Sequence, residues 1–138
     1  SAGSIGVATE ADAKAATDAW ELFKAQFPKA VENGMFMDTP VEEDDVKYRW
    51  HRLMKTLKIS GADLNSIMKE EALPLVVDSN HVENTFEAMV RGSDYDTALT
   101  VVKKNPGIVT AGDGIEENMG MAQVAADFQQ ATRPLNRF

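Results

Sequence analysis

The stretch TPVEEDDVKYRWHRLMKTLKI, residues 39–59, decides the fold class. It opens as a capping box: Thr39 can accept a first-turn hydrogen bond, Pro40 suits the first helical position, and Glu42 closes the box. Five apolar residues then recur at helical spacing within an arc of about 100°. The stretch therefore predicts an amphipathic helix that buries one face. The residues of that face are Val46, Trp50, Leu53, Met54 and Leu57.

The residues before this stretch predict another helix, over residues 9–26. Trp20, Phe23 and Phe27 follow one another at spacings of three and four, which places them on one apolar stripe. Pro28 should end the helix, because proline lacks a backbone donor and clashes with the preceding turn.

The residues after this stretch predict further short helices, each opened by a residue that can cap a helix N-terminus. The last helix, over residues 113–132, is expected to turn Phe128 inward. The run Leu75 to Val77 is β-like but too short to build a sheet. The chain is thus predicted to be all-α, a single compact domain of five or six short helices with loose termini. The expected caps after residue 59 are Ser60, Asn80 and Ser93.

Length and composition agree with one domain. The chain has 138 residues, of which 43% are hydrophobic and 26% are charged, as in an ordinary globular protein. We expect a flexible N-terminal segment over residues 1–8, a helical domain over residues 9–132 and a tail over residues 133–138. No run of about 18 apolar residues occurs, so no membrane span is predicted.

Composition also limits the kinds of functional site that we expect in the chain. The chain has no cysteine, which removes thiolate metal sites and cysteine nucleophiles. Its net charge of −8 argues against non-specific nucleic-acid binding, which depends on phosphate neutralisation by Lys and Arg. His51 and His81 have no ligand-like partner four residues away, and no Gly-x-Ser-x-Gly motif is present. We therefore predict a protein that is not an enzyme and has no intrinsic cofactor or metal.

Positive charge is concentrated in one place. Residues 47–69 carry six basic residues and one acidic residue, although the whole chain carries −8. A basic amphipathic helix can dock on lipid headgroups or on an acidic protein, or its bases can balance the acids of its own domain. The candidate partner-binding residues on the polar face of this helix are Lys47, Tyr48, Arg52, Lys55 and Lys58.

A second candidate is the tripeptide Met35, Phe36 and Met37, which follows the turn signal Asn33-Gly34. Three consecutive apolar residues in a loop are either buried against the domain or exposed for a partner. Both interpretations remain open, and we count the tripeptide among the candidate partner-binding residues.

The stretch LTVVKKNPGIV, residues 99–109, and the Ala-rich helix that ends at Arg133-Pro134 resemble two families. The helix stop resembles the repeat of mitochondrial transcription termination factors, which would imply a helical-repeat nucleic-acid-associated protein. The acidic charge and at most two imperfect repeats disfavour that family. Over about residues 86–134, the chain is similar to small soluble helical linker subunits of algal plastid photosystem–antenna complexes.

The second resemblance implies a non-enzymatic linker that docks on and bridges photosynthetic membrane pigment–protein complexes. It also implies a plastid location at the thylakoid surface, peripheral membrane contact, and interfaces as the place for any chlorophyll or carotenoid. The alternative from the residues is a small-ligand or pigment carrier. Its cavity would be lined by Trp20, Phe23, Trp50, Phe86 and Phe128.

Overall fold

The computed structural model describes residues 10–29 and 43–136, and within these ranges the chain is helical without a strand. The all-α prediction is confirmed, but the described ranges contain seven α-helices, where five or six were expected. The elements are α1 (Glu10–Gln26), α2 (Glu43–Leu57), α3 (Gly61–Glu70), α4 (Leu73–Val76), α5 (Ser79–Gly92), α6 (Tyr95–Lys104), 3₁₀ helices at Pro106–Thr110 and Asp113–Asn118, and α7 (Met119–Asn136).

The core is built around α2. Every residue of its predicted apolar arc is buried, with Trp50 and Leu57 each only 1% exposed. Helix α1 packs on α2 and α3, and places Phe23 in the same core. Phe27 follows the end of α1 at Gln26, and its ring packs against Phe23 at 5.2 Å between ring centres but is 45% exposed.

The additional helix is α4, and it replaces the β-like run that the sequence suggested. Pro74 fits its first turn, where a helix does not use the missing backbone donor. Arg49 of α2 is buried and donates from Nη1 to the carbonyl oxygens of Val76 and Val77, at 3.2 and 2.7 Å. A cation from α2 therefore closes the C-terminal end of α4 by donating to two of the carbonyl oxygens there.

One predicted cap is confirmed and two are wrong. The Oγ of Ser60 accepts a hydrogen bond from the backbone N–H of Asp63 at 3.2 Å, as expected for the start of α3. Helix α5 begins earlier than predicted, because Asp78 rather than Asn80 is its N-cap.

Helix α6 is capped by Asp94, whose carboxylate accepts the N–H of Thr97 at 2.7 Å. This hydrogen bond lowers the pKa of Asp94. Ser93 instead donates from Oγ to the carbonyl of Met89 at 2.7 Å and so helps to end α5. Where a serine and an aspartate both adjoin a helix start, the N-terminal dipole stabilises the charged carboxylate more than it stabilises the neutral hydroxyl.

The predicted last helix consists of two elements, and α7 continues to Asn136 rather than ending at Thr132. A Cβ on Gly92 would overlap the backbone oxygen of Glu116, so α5 and the second 3₁₀ helix meet backbone to backbone. Gly112, which precedes that helix, has a φ of +89°, a conformation that glycine adopts without strain. Phe128 is 69% exposed, so its predicted inward orientation is wrong.

Candidate functional site

A groove of about 860 Å³ runs between α2 and α5. Its volume falls in the range of about 300–1,000 Å³ that is typical of binding sites in proteins. The groove contains four of the five predicted polar-face residues of α2, so the basic face of that helix forms one of its walls. The lining residues are Tyr48, His51, Arg52, Lys55, Thr56, Lys58, Glu83, Phe86, Glu87, Val90, Arg91 and Tyr95.

The groove is positive although the protein is negative. Four cationic side chains and two carboxylates line it, against a net charge of −8 for the chain. Arg52 pairs with Glu83 and Arg91 with Glu116, which leaves Lys55 and Lys58 against Glu87. Phe86 is buried beneath the groove, and Val90 beside it is partly buried. Tyr48 is 59% exposed. The arrangement offers apolar and aromatic surface next to positive charge, a combination suited to an acidic ligand that also carries apolar groups.

Arg52 has a structural role, which the sequence pattern did not indicate. Its Nη2 donates to Glu83 Oε2 at 2.7 Å and to Asn80 Oδ1 at 3.1 Å, which ties α2 to α5. The hydrogen bond to Glu83 raises the pKa of Arg52. Its guanidinium also lies 5.8 Å from the ring centre of Tyr48. Arg52 therefore positions a wall of the groove, and its charge is largely compensated by Glu83.

Lys55 is an exposed cation of this wall, and no acidic side chain in the described part of the chain pairs with it. Lys58 is also exposed, and its Nζ lies 5.9 Å from the ring centre of Tyr95. Its φ of +57° ends α2 in the left-handed conformation, with Ile59 N–H bonded to the Met54 carbonyl at 3.2 Å. Lys47 is half-buried and lies outside the groove lining.

Tyr95 closes one end of the groove, and sequence reasoning missed it. Its hydroxyl donates to the carbonyl oxygens of Leu57 at 2.5 Å and Lys58 at 3.3 Å, and its ring meets Phe86 edge-on at 6.1 Å. Burial raises the pKa of Tyr95, and the nearby carboxylates raise it further. Since Tyr95 and Leu57 are 38 residues apart, no local sequence signal could have indicated this contact.

The two histidines have different environments. His81 Nε2 lies 2.8 Å from the carbonyl oxygen of Thr110, so it must carry the proton and donate it. This is the ordinary structural histidine that the sequence suggested. His51 lines the groove, and its Nδ1 is buried without a hydrogen-bond partner among the described residues.

The remaining sequence-based candidates have different outcomes. Met35, Phe36 and Met37 lie outside the described residues, as does the capping box at residues 39–42. The aromatic residues proposed to line a ligand cavity are divided, and Phe86 is the one that lines the groove. Trp20 stacks on Phe23 inside the core at 6.0 Å between ring centres, whereas Phe128 is on the surface of α7.

Residues 10–29 and 43–136 contain no group of three or more His, Asp or Glu side chains that could hold a metal ion. No helix in these ranges is long and apolar enough to cross a membrane. Comparison with protein-family models, with curated proteins and with solved structures finds no match.

Proposed function

We propose that the chain is a non-enzymatic interaction subunit whose α2–α5 groove binds an acidic, apolar-bearing segment of a partner protein. The observation that supports this proposal is the charge of the groove: it is a positive, aromatic-lined site on a chain of net charge −8. Complementary charge steers association and selects partners, and apolar surface adds affinity after contact.

The shape of the groove favours a protein segment as its occupant. Grooves between two helices commonly accept an amphipathic helix, whose apolar residues lie in the groove while its charged residues contact the rim. Lys55 and Lys58 are exposed on the rim, and Tyr48 offers an accessible aromatic ring. Exposed Tyr side chains of this kind often contribute much of the binding energy at interfaces.

The resemblance of residues 86–134 to photosystem–antenna linkers suggests which partner to test. In that case the bound segment would belong to a pigment–protein subunit at the thylakoid surface, and the chain would bridge such subunits in a plastid. That assignment rests on the resemblance, whereas the acidic partner is inferred from the groove. A small-molecule ligand is the second candidate, because the volume of about 860 Å³ also suits one.

The test uses a synthetic amphipathic helical peptide with Glu on one face and Leu and Phe on the other. We expect saturable binding that weakens as salt rises, because exposed charge pairs are screened. The same peptide with every Glu replaced by Lys should not bind. Equal binding of both peptides would contradict the acidic-segment proposal.

Two variants with the same charge change locate the binding surface. Lys55→Glu should weaken binding about three- to tenfold, since one exposed pair is lost and a repulsion replaces it. Lys103→Glu is the control, because Lys103 is also exposed in the last turn of its helix but lies outside the groove. Equal affinities of the two variants would exclude the groove as the binding site.

A further inference from the structure

The outer face of α7 is apolar and uncovered in the part of the chain that the structure describes. Met121, Val124 and Phe128 are 75%, 71% and 69% exposed, the highest values among the described large hydrophobic residues. Ala125 is exposed with them, and the spacing of three, one and three residues places all four on one side of the helix. The opposite side, with Met119, Ala122 and Ala126, is buried.

This face carries no charge. From Met119 to Thr132 the sequence contains one ionisable residue, Asp127, which pairs with Lys104 of α6 at 2.6 Å. A chain of net charge −8 normally repels a second copy of itself. An uncharged helix face is where two such copies can meet without bringing carboxylates together.

The side chains that precede the face disfavour a lipid surface. Helices that lie on membranes combine an apolar face with Lys or Arg beside it, because the headgroups attract positive charge. The preceding 3₁₀ helix is acidic instead, with Asp113, Glu116 and Glu117. An anionic membrane would repel these residues.

The residues of the face are symmetric about a single point. Met121 and Phe128 are equally distant from the midpoint between Val124 and Ala125. A two-fold axis at that midpoint would pair two antiparallel copies of α7, with Met121 of each copy against Phe128 of the other. Thioether–aromatic contacts are favourable, and Ala125 allows the two helix backbones to approach closely.

We propose that the chain forms a symmetric homodimer through the outer faces of α7. We expect one pair of helices to bury less surface than the roughly 1,200 Å² that stable interfaces exceed, which would make the dimer weak and concentration-dependent. This inference is independent of the groove. A dimer would nonetheless present two α2–α5 grooves, as a bridging subunit requires.

Sedimentation velocity between about 1 µM and about 1 mM tests the dimer. The weight-average mass should rise from 15.1 kDa toward twice that value as concentration increases. A variant carrying both Met121→Glu and Phe128→Glu should remain at the monomer mass, with an unchanged helical circular dichroism spectrum. Gln130→Glu, which adds a charge on the other side of the same helix, should dimerise like the parent. A monomer mass throughout, or equal dimerisation of the double variant, would overturn the proposal.

Cross-linking tests the geometry, and the absence of native cysteine makes a single introduced thiol specific. Ala125→Cys, beside the proposed axis, should form a disulfide-linked dimer on mild oxidation, because the two Cα atoms would lie within about 7 Å. Gln130→Cys should not. Flotation with vesicles of anionic and zwitterionic phospholipid tests whether the outer face of α7 instead contacts a lipid surface. If the chain stayed monomeric and floated with the vesicles through its α7 face, that face would be a membrane contact and the dimer proposal would be wrong.

Discussion

Helices α2 and α7 each bury one face and expose an aromatic residue on the other, and they differ in what surrounds that residue. Tyr48 of α2 is 59% exposed beside charged residues, and Arg52 in that face already pairs with Glu83. Phe128 of α7 is 69% exposed beside uncharged, mostly apolar residues. The first surface is stable in water and can select a partner by charge. Contact with water raises the free energy of the second surface, and covering that surface lowers it.

The largest expected difference in the free energy of unfolding is between a substitution on the inner face of α2 and one on the outer face of α7. Trp50→Ala should lower the free energy of unfolding by about 3–5 kcal/mol, because it leaves a cavity in the core. Phe128→Ala should change it by less than about 0.5 kcal/mol at a concentration where the chain is monomeric. Urea denaturation measures both values. A comparable loss for Phe128→Ala would mean that α7 packs with this face inward.

A smaller difference in the free energy of unfolding is expected between substitutions of two cationic residues of α2. Arg49→Met should cost about 1.5–3 kcal/mol, because the carbonyl oxygens of Val76 and Val77 lose a charged donor. Lys55→Met is the control and should cost less than about 0.5 kcal/mol, since Lys55 is exposed. The same denaturation series measures the pair. If both variants were equally stable, the closure of α4 by Arg49 would have no energetic importance.

Tyr95→Phe should cost about 1 kcal/mol at neutral pH, because the hydroxyl loses its acceptors at the end of α2. The variant should also change the pH dependence of stability. Burial raises the pKa of Tyr95 above its ordinary value of 10.0. The unfolded chain therefore releases this proton at lower pH than the folded chain does, and the free energy of unfolding falls as pH rises above 10.

Urea denaturation at several pH values up to the alkaline range checks this sign. The stability difference between the parent chain and Tyr95→Phe should shrink as pH rises through the raised pKa of Tyr95. A constant difference would show that Tyr95 has the same pKa in both states. Peptide affinity measured on the same samples shows whether the closed end of the groove contributes to binding.

Helix α2 could be predicted from sequence because its two faces differ so strongly. Charged and apolar residues alternate at helical spacing, so only one orientation buries the apolar side without burying Lys55 or Lys58. Helix α7 lacks that contrast. Both of its faces are rich in Ala and Met, so the sequence favours an inward position for Phe128, the largest apolar residue of the helix. The smaller residues Ala122 and Ala126 are buried instead, where α7 packs against α6 and the second 3₁₀ helix.

The groove could be predicted only in part for a related reason. The basic wall follows from the periodicity of one helix, whereas its other wall comes from α5, and Tyr95 closes its end from α6. The pairing of Arg52 with Glu83 joins residues 31 positions apart. Local propensity carries no information about such contacts, because they depend on how the helices pack. Whether the groove binds a partner stays a prediction.

The smallest expected effect concerns Asp127, the residue of α7 that pairs with Lys104 of α6. The Asp127 carboxylate meets Lys104 at 2.6 Å but is 68% exposed, so solvent screens most of this attraction. Asp127→Asn should therefore lower the free energy of unfolding by only about 0.2–1 kcal/mol, and about 1 M salt should remove the difference. A larger loss that persists in high salt would mean that the ion pair, rather than the buried Met119, Ala122 and Ala126, holds α7 in place. The dimerisation affinity should not change in this variant, because Asp127 does not lie on the outer face of α7. A mutation that affects stability slightly and dimerisation not at all would show that the two faces of α7 act independently, as those of α2 are expected to do.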